Sequence, residues 1–287
     1  MRLVSYGPLG QERLGVLIEN RTVIADLQRC DPSIPSDMLS FLRGDFWAKV
    51  FPFLADTKTI PSSARVNLAD VRLGAPVPRP GLIVCIGLNY KDHADEQGVP
   101  YPKAPLLFCK APQSACGPND EIVYPEGVEQ LDYEVELGVI IGKTAKKVSA
   151  EKALSHVAGY CVFHDVSARC AQFGDKQWFR GKSFDTFAPF GPALVTPDEV
   201  GDPQDLPLTC LVNGQVRQNS STGKMVHPVA SLIEYVSRGL TLQPGDVIAT
   251  GTPSGVGVFF KPPRLLNRGD VVELEVKKLG KLVNRIV

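Results

Sequence analysis

Two glutamates occupy alternate positions of an otherwise apolar run, LDYEVELGVIIG, at residues 131–142. In a β-strand, alternate side chains project from the same face about 7 Å apart, so Glu134 and Glu136 point together. A half-exposed strand whose polar face meets water is one explanation, as in VELEVKK at residues 272–278. The continuation LGVIIG, however, is apolar on both faces, which indicates a strand covered on both sides. Two ionised carboxylates there repel each other and lose hydration, and a divalent cation would remove both penalties.

A third carboxylate fits the same site. The apolar run AGYCVFH ends at Asp165, where a polar stretch begins. An aspartate in that position could equally be a helix N-cap. Together with Glu134 and Glu136 it offers three oxygen donors from two strands. All-oxygen ligation favours Mg²⁺ or Mn²⁺, with Ca²⁺ as a further candidate, and the sequence contains no His/Cys cluster with zinc spacing.

A histidine and a glutamate lie three residues apart in NYKDHADEQGVPYP. On a short helix, His93 and Glu96 would share a face and form a hydrogen bond. A solvated surface pair is the alternative. A histidine with a carboxylate partner is a suitable general base near neutral pH. Gly98, Pro100 and Pro102 are typical of a bounded loop that could act as a lid.

Two further segments carry residues with a chemical use. FRGKSFDTF lacks the phosphate-loop pattern, because Lys176 stands where GxxxxGK requires glycine. Lys182 in that segment is either a group that neutralises an anionic substrate or an ordinary surface lysine. The turn ATGTPSGVG, residues 249–257, is not GxGxxG, and its glycines favour close backbone approach to a ligand. The sequence also has no GxSxG nucleophile elbow.

Five segments in this order resemble the fumarylacetoacetate hydrolase (FAH) family, and within it the FAH-domain-containing 2 subgroup: NYKDHADEQG, DYEVELGVIIG, HDVSAR, RGKSFDTF and GDVIATGTPSGVG. The resemblance covers residues 75–287 with specific motifs. The metal ligands of that family match Glu134, Glu136 and Asp165. The His–Glu dyad of its mobile lid, which activates water, matches His93 and Glu96.

The resemblance also implies roles for four other residues. Lys182 would lie beside the metal and stabilise developing enolate charge. Arg169 and Gln172 match positions that contact substrate, although a salt bridge and a surface amide are equally open explanations from sequence alone. Thr252 matches a threonine near the substrate carboxylate.

These residues predict a divalent-metal-dependent hydrolase that cleaves a C–C bond in acylpyruvate or β-diketo 2-oxo acids. His93, oriented by Glu96, would deprotonate a water molecule, while the metal and Lys182 would stabilise the departing enolate. The same groups can enolise a substrate without hydrolysis, so an oxaloacetate keto–enol tautomerase or decarboxylase is the alternative. A catalytically inactive scaffold is disfavoured, because every one of these chemical groups is present.

The elements that must position these residues are mostly strands. Short apolar runs separated by turn signals, with 24 prolines and 26 glycines, predict a strand-rich α+β fold. The clearest helix spans residues 229–240, and Asn213-Gly214 predicts a type I′ hairpin turn. The resemblance implies a β-sandwich roll with a small N-terminal α/β domain. The proline-rich segment GAPVPRPG places the boundary between residues 1–73 and the catalytic domain, residues 74–287.

Composition limits the classes of partner. Lys plus Arg and Asp plus Glu are equal at 31 each, which argues against broad attraction to nucleic acid or anionic membranes. No apolar run approaches the roughly 18 residues of a membrane span. The sequence therefore predicts a cytoplasmic enzyme, or a mitochondrial-matrix enzyme in a eukaryote, acting on a small 2-oxo acid. The family resemblance implies a homodimer.

Overall fold

The computed structural model, which describes residues 1–287, contains seventeen strands in three sheets and nine α-helices. The strands are β1 (Arg2–Tyr6), β2 (Arg13–Ile18), β3 (Val23–Asp26), β4 (Arg65–Asn67), β5 (Ile83–Gly87), β6 (Leu106–Lys110), β7 (Ala115–Cys116), β8 (Leu131–Asp132), β9 (Val135–Ile141), β10 (Val157–His164), β11 (Ser167–Ala168), β12 (Ala188–Val195), β13 (Pro207–Val212), β14 (Gln215–Ser221), β15 (Val247–Ala249), β16 (Val271–Val276) and β17 (Gly280–Arg285). The α-helices are α1 (Leu27–Cys30), α2 (Met38–Arg43), α3 (Trp47–Ala55), α4 (Lys91–Gln97), α5 (Ala150–Ala153), α6 (Arg169–Gly174), α7 (Trp178–Lys182), α8 (Pro197–Val200) and α9 (Val229–Gly239).

An 11-stranded sheet is the centre of the fold, in the order β4-β3-β2-β1-β12-β10-β9-β15-β5-β6, with β7 paired to β12. Most neighbours are antiparallel, but β15 and β5 are parallel. A 4-stranded sheet has the order β14-β13-β16-β17, and β8 pairs with β11 in a 2-stranded sheet. This arrangement is strand-rich and mixes α and β structure, as the sequence predicts.

Strand β9 is buried along its whole length because apolar layers cover both of its faces. Leu137 and Val139 belong to a core cluster of 42 residues, which also contains Leu208 and Leu274 of the smaller sheet. Ile140, from the opposite face, belongs to a second cluster of 26 residues. Glu136, the one polar residue of β9, is therefore buried within an otherwise apolar strand.

The first 70 residues add four strands to the large sheet rather than forming a separate sheet. Strand β1 pairs with β12, and β2, β3 and β4 follow outwards. The division into domains at residue 74 stays a prediction.

Two local predictions are confirmed. The Asn213-Gly214 turn connects β13 to β14 with positive φ at both residues, 51° and 74°, as a type I′ turn requires. Helix α9 occupies Val229–Gly239, close to the predicted residues 229–240. No helix of this chain has the length and apolar character needed to cross a bilayer.

Candidate active site

The antiparallel pairing of β9 with β10 brings the three predicted metal ligands together. Glu134 immediately precedes β9 and Asp165 immediately follows β10, and the Asp165 amide donates a 3.1 Å hydrogen bond to the Glu134 carbonyl. Glu136 lies one pleat further along β9, opposite Phe163. One carboxylate oxygen from each acid lies within 4.8 Å of the others, and all three side chains are buried. These positions match the convergence that the sequence predicts.

Two lysines and an arginine surround the carboxylates. Lys182 Nζ lies 2.9 Å from Glu134 Oε2 and 2.8 Å from Asp165 Oδ2. Lys110 Nζ lies 2.5 Å from Asp165 Oδ1, and Arg169 Nη2 lies 2.7 Å from Glu134 Oε1. Glu134 and Asp165 therefore have cationic partners on both of their carboxylate oxygens.

Glu136 has no cationic partner, although it is only 1% exposed. Its Oε2 accepts a 2.8 Å hydrogen bond from the Gly251 amide. Burial, together with the neighbouring Asp165 and Glu134 charges, raises the pKa of Glu136 well above its ordinary value. A bound metal cation would stabilise the ionised form of Glu136, which no lysine or arginine of the chain contacts.

The pKa values of the other groups follow from their partners. Burial would raise the pKa of Glu134, but Lys182 and Arg169 outweigh burial and lower it to about 2. Burial would lower the pKa of Lys182, but Asp165 and Glu134 hold it above its ordinary value. Burial lowers the pKa of Lys110, with Asp165 opposing the shift. Glu134 is thus ionised and Lys182 is a cation at neutral pH.

The donor set fits a hard divalent cation. When all of these groups are ionised, four buried carboxylates and three buried cations leave one negative charge in excess; the carboxylates are Asp132, Glu134, Glu136 and Asp165, and the cations are Lys110, Arg169 and Lys182. Carboxylate oxygens are the ligands that Mg²⁺ and Mn²⁺ prefer. A divalent ion would convert the excess to one positive charge, which suits an anionic substrate. The acidic triad can therefore bind a divalent metal.

Arg169 is held by a second acid, Asp132, which has no counterpart in the sequence-based set. Arg169 Nε donates to Asp132 Oδ2 at 2.8 Å, and its Nη1 donates to Gln172 Oε1 at 2.9 Å. The Asp132 carboxylate also accepts hydrogen bonds from the Gly257 and Val258 amides. The salt-bridge explanation for Arg169 therefore holds, and the arginine still reaches the cavity.

His93 and Glu96 form the predicted pair on helix α4. His93 Nδ1 lies 3.1 Å from Glu96 Oε2, and the other carboxylate oxygen of Glu96 accepts a 2.9 Å hydrogen bond from the Gly255 amide. The Phe259 ring lies 5.8 Å from the imidazole, centroid to centroid. His93 is therefore 6% exposed rather than solvated, and α4 is tied to the 249–257 turn.

One cavity of ≈ 80 Å³ collects most of the predicted residues. Seven of the nine line it, namely His93, Glu134, Glu136, Arg169, Gln172, Lys182 and Thr252. Glu96 and Asp165 do not line the cavity; they contact His93 and Lys182, respectively, which do. The remaining walls are largely apolar and include Phe108, Trp178 and Phe259.

Thr252 lines the cavity, but its hydroxyl group is already engaged. Its Oγ1 donates to the Val135 carbonyl at 3.0 Å and accepts from Gln218 Nε2 at 2.8 Å. The hydroxyl hydrogen is therefore not available to a substrate carboxylate in this arrangement. Contact between Thr252 and substrate stays a prediction.

Residues 82–287 match the family model for the fumarylacetoacetate (FAA) hydrolase C-terminal domain. The mitochondrial oxaloacetate tautomerase FAHD2A of Bos taurus is 46% identical over 292 residues, covering 100% of this chain and 92% of the relative. The chain belongs to the FAH family.

Solved structures of the family share the whole fold. The fumarylacetoacetate hydrolase of Exiguobacterium antarcticum is 39% identical, with a TM-score of 0.83 over 100% of this chain and 99% of that chain. The maleylpyruvate hydrolase of Sphingobium sp. SYK-6, in complex with manganese(II) and pyruvate, is 31% identical, with a TM-score of 0.82 over 100% and 99%. The predictions of family, fold class and enzymatic nature are confirmed: this is an FAH-family enzyme for small-molecule substrates.

Sequence reasoning missed three polar residues of this FAH-family site. Lys110 is a buried cation at the end of β6, and Asp132 anchors Arg169 two residues before Glu134. Gln97 lies on α4 with its amide 2.9 Å from His93 Nε2. The alternation of acids at residues 132, 134 and 136 was a signal that could have identified Asp132. Nothing local distinguishes Lys110 from a lysine at the end of any strand.

Proposed function

We propose that this enzyme interconverts the enol and keto forms of oxaloacetate in a divalent-metal-dependent reaction. The observation that carries the proposal is that His93, the one histidine lining the cavity, shares it with Lys182, Arg169 and carboxylates of the acidic triad. Tautomerisation needs a base and a means to stabilise an enolate, and it needs no activated water molecule. The full-length similarity to an oxaloacetate tautomerase supports the same choice.

His93 is the proposed proton carrier. Its Nδ1 is engaged by Glu96, so Nε2 is the atom that accepts a proton from C3 of keto oxaloacetate. Negative charge then develops on the 2-oxo oxygen, and return of the proton from the His93 imidazolium to that oxygen completes the enol and restores the neutral imidazole. A positioned base of this kind contributes about 10²–10⁴-fold to a rate.

The cationic residues bind and stabilise the anion. Lys182 lies between Glu134 and Asp165 and presents a positive charge to the cavity, where the enolate oxygen forms. Arg169 and Gln172 are joined by a 2.9 Å hydrogen bond and line the cavity, which supports a role for both in contacting a substrate carboxylate. When held by Glu134, Glu136 and Asp165, a divalent cation supplies Lewis-acid polarisation of the 2-oxo group.

Hydrolysis of an acylpyruvate or β-diketo acid is the second candidate. The His93–Glu96 pair is also suited to activating water, and the similar structures include a fumarylacetoacetate hydrolase and a maleylpyruvate hydrolase. The sequence-based prediction placed this activity first. The full-length similarity to an oxaloacetate tautomerase is the reason for proposing it second here.

Two assays of the purified enzyme distinguish these activities. One uses enol-oxaloacetate and the other acetylpyruvate, each with Mg²⁺ or Mn²⁺ and again with chelator. We expect rapid metal-dependent loss of the enol absorbance and no pyruvate from acetylpyruvate. Release of pyruvate and acetate without enol–keto equilibration would establish the hydrolase instead. Pyruvate formation in the oxaloacetate assay would show decarboxylation.

The remaining expectations belong to this proposal. The manganese complex of a similar hydrolase supports Mn²⁺ or Mg²⁺ as the working ion. The name of the bovine relative places that protein in mitochondria, which supports the mitochondrial-matrix alternative over the cytoplasm. A homodimer stays a prediction, which light scattering of the purified protein tests directly.

A further inference from the structure

The Gln97 side chain contacts the nitrogen of His93 that the proposed reaction uses. Gln97 Nε2 lies 2.9 Å from His93 Nε2, while Glu96 Oε2 lies 3.1 Å from His93 Nδ1. Both ring nitrogens of His93 are therefore engaged by residues of its own helix. Gln97 lines the same cavity as His93, so its amide stands between the imidazole and the space for substrate.

The chemistry of these groups fixes the tautomer. An ionised carboxylate only accepts hydrogen bonds, so the Nδ1 of His93 carries the hydrogen that Glu96 accepts. A neutral imidazole then has a bare lone pair at Nε2. The Gln97 amide nitrogen is a donor, and it donates into that lone pair. The Gly255 amide donates to the other carboxylate oxygen of Glu96, so Glu96 accepts hydrogen bonds from both His93 and Gly255.

We propose that Gln97 is a positioning residue that caps the basic nitrogen of His93 until substrate displaces its amide. The proposal rests on His93 being the base of the proposed function. The cap keeps Nε2 unprotonated and aimed into the cavity, and it competes with substrate for that nitrogen. A competing hydrogen bond of ordinary strength raises the apparent KM about two- to tenfold.

Two substitutions at this position have opposite predicted effects. Gln97→Leu keeps the bulk but removes the donor, so we expect KM to fall about two- to tenfold with kcat within about twofold of the parent. Gln97→Glu places a carboxylate on Nε2 and stabilises the imidazolium, so we expect kcat at pH 7.5 to fall at least about 100-fold. A purely structural role would impair both variants in the same direction.

Lys91 provides the matched control, because it is an exposed residue of the same helix. Lys91→Leu and Lys91→Glu repeat the two chemical changes away from the imidazole and should leave KM and kcat unchanged. Circular dichroism and thermal melting of all four variants check that α4 still folds.

A second readout does not depend on activity. The chain has four histidines, so ¹⁵N-histidine labelling with His93→Ala for assignment isolates the His93 ring signals in the substrate-free protein. We expect an unprotonated, hydrogen-bonded Nε2 in the parent, an unprotonated Nε2 with a shifted resonance in Gln97→Leu, and an imidazolium in Gln97→Glu. A protonated Nε2 in the neutral parent ring, or an unchanged Nε2 resonance and KM in Gln97→Leu, overturns the proposal. If His93→Ala keeps full activity while the resonances of the parent and the Gln97 variants are as expected, His93 is not the base, but the hydrogen bond from Gln97 to its Nε2 is confirmed.

Discussion

Glu136 differs from the other two acids of the cluster in the charge that surrounds it. Glu134 and Asp165 are paired with lysine or arginine on both oxygens, whereas Glu136 has only the Gly251 amide. Its carboxylate is therefore the one whose charge depends most on an added cation.

Replacing Glu136 with glutamine should abolish metal binding without unfolding the protein. No ion pair is broken by Glu136→Gln, and the amide still accepts from Gly251. We expect the affinity for Mn²⁺, measured by calorimetry, to fall by at least about 100-fold, beyond the usual effect of losing an outer partner. Glu275→Gln, in the similar VELEV segment of β16, is the matched control and should bind Mn²⁺ like the parent. Parental affinity in Glu136→Gln would refute the ligand assignment.

His93 can be separated from the metal cluster by its own substitution. We expect His93→Ala to lower kcat for enol–keto conversion about 10²–10⁴-fold, because the base is lost, while Mn²⁺ affinity is unchanged. Steady-state kinetics and calorimetry on the same preparation measure both quantities. An equal loss of metal affinity would show that His93 acts on the cluster rather than on substrate.

A site residue could be predicted from the sequence when its partner lies only a few positions away. Glu134 and Glu136 lie two residues apart at the start of β9, and His93 and Glu96 lie three residues apart on α4, so spacing alone predicted a common face for each pair. Lys110 meets Asp165 across 55 positions of sequence, and no pattern around Lys110 encodes that encounter. The family resemblance supplied roles for Arg169, Gln172 and Thr252 that spacing could not.

At the scale of elements, the contact between α6 and α7 sets the positions of several cavity residues. Gly181 of α7 lies against α6 so closely that a Cβ there would be 2.6 Å from the Gln172 amide nitrogen and 2.8 Å from its Cα. Those are backbone atoms, which cannot rotate away. Lys182 follows Gly181 directly, so a displaced α7 also displaces the lysine.

Gly181→Ala should therefore impair stability and activity together. We expect a destabilisation of about 1–3 kcal/mol and a reduced kcat, as for overpacking of a tight contact. Gly174→Ala is the matched control, because nothing lies within 4 Å of its added Cβ in the same pair of helices. Chemical denaturation and kinetics compare the two variants. If Gly181→Ala and Gly174→Ala have the same stability and the same kcat, then α6 and α7 can move apart without a cost in free energy.

Asp26 joins three strands and a helix in the N-terminal part of the large sheet. Its buried carboxylate accepts from Tyr6 at 2.5 Å, from Arg13 at 2.6 Å and from the Arg29 amide in the first turn of α1, of which Asp26 is the N-cap. Burial would raise the pKa of Asp26, but Arg13 and Tyr6 outweigh it, and the pKa lies below its ordinary value. The ionised form is therefore the one that stabilises the fold.

This arrangement predicts acid sensitivity. Because the pKa is lower in the folded than in the unfolded chain, the stabilisation is complete above the unfolded value of about 3.9 and is lost as pH falls below it. We expect Asp26→Asn to lower the free energy of unfolding by about 1–3 kcal/mol at pH 7, with a smaller difference near pH 3. Asp37→Asn, at the N-cap of α2, tests the loss of a capping carboxylate alone and should change stability by a few tenths of a kcal/mol. A pH-independent effect of Asp26→Asn would contradict the assignment.

Elements with a local signature were predictable, and their order in the sheet was not. The Asn213-Gly214 hairpin and α9 have turn chemistry and apolar spacing within a few residues. The parallel pairing of β5 with β15 joins Ile83 to Val247, and no local pattern selects one partner among many apolar strands.

At the scale of the whole molecule, metal binding should raise the melting temperature (Tm) of the protein. A ligand that binds only the folded state at 100 times its Kd adds about 2.7 kcal/mol, or a rise in Tm of about 5 °C for a domain of this size. We expect Mn²⁺ to produce such a rise in the parent protein, chelator to reverse it, and Glu136→Gln to show none. Differential scanning calorimetry at fixed protein concentration measures this, and an equal rise in Glu136→Gln would place the ion elsewhere.

The cavity contains one histidine, on α4, while its carboxylates and its lysine come from other parts of the chain. An enol is planar, so a lone proton carrier can reach only one of its two sides. In deuterium oxide the enzyme would therefore deliver the isotope to a single prochiral position at C3 of oxaloacetate. Rapid trapping as malate by a coupled dehydrogenase would preserve that label, and the product would be one diastereomer rather than a mixture.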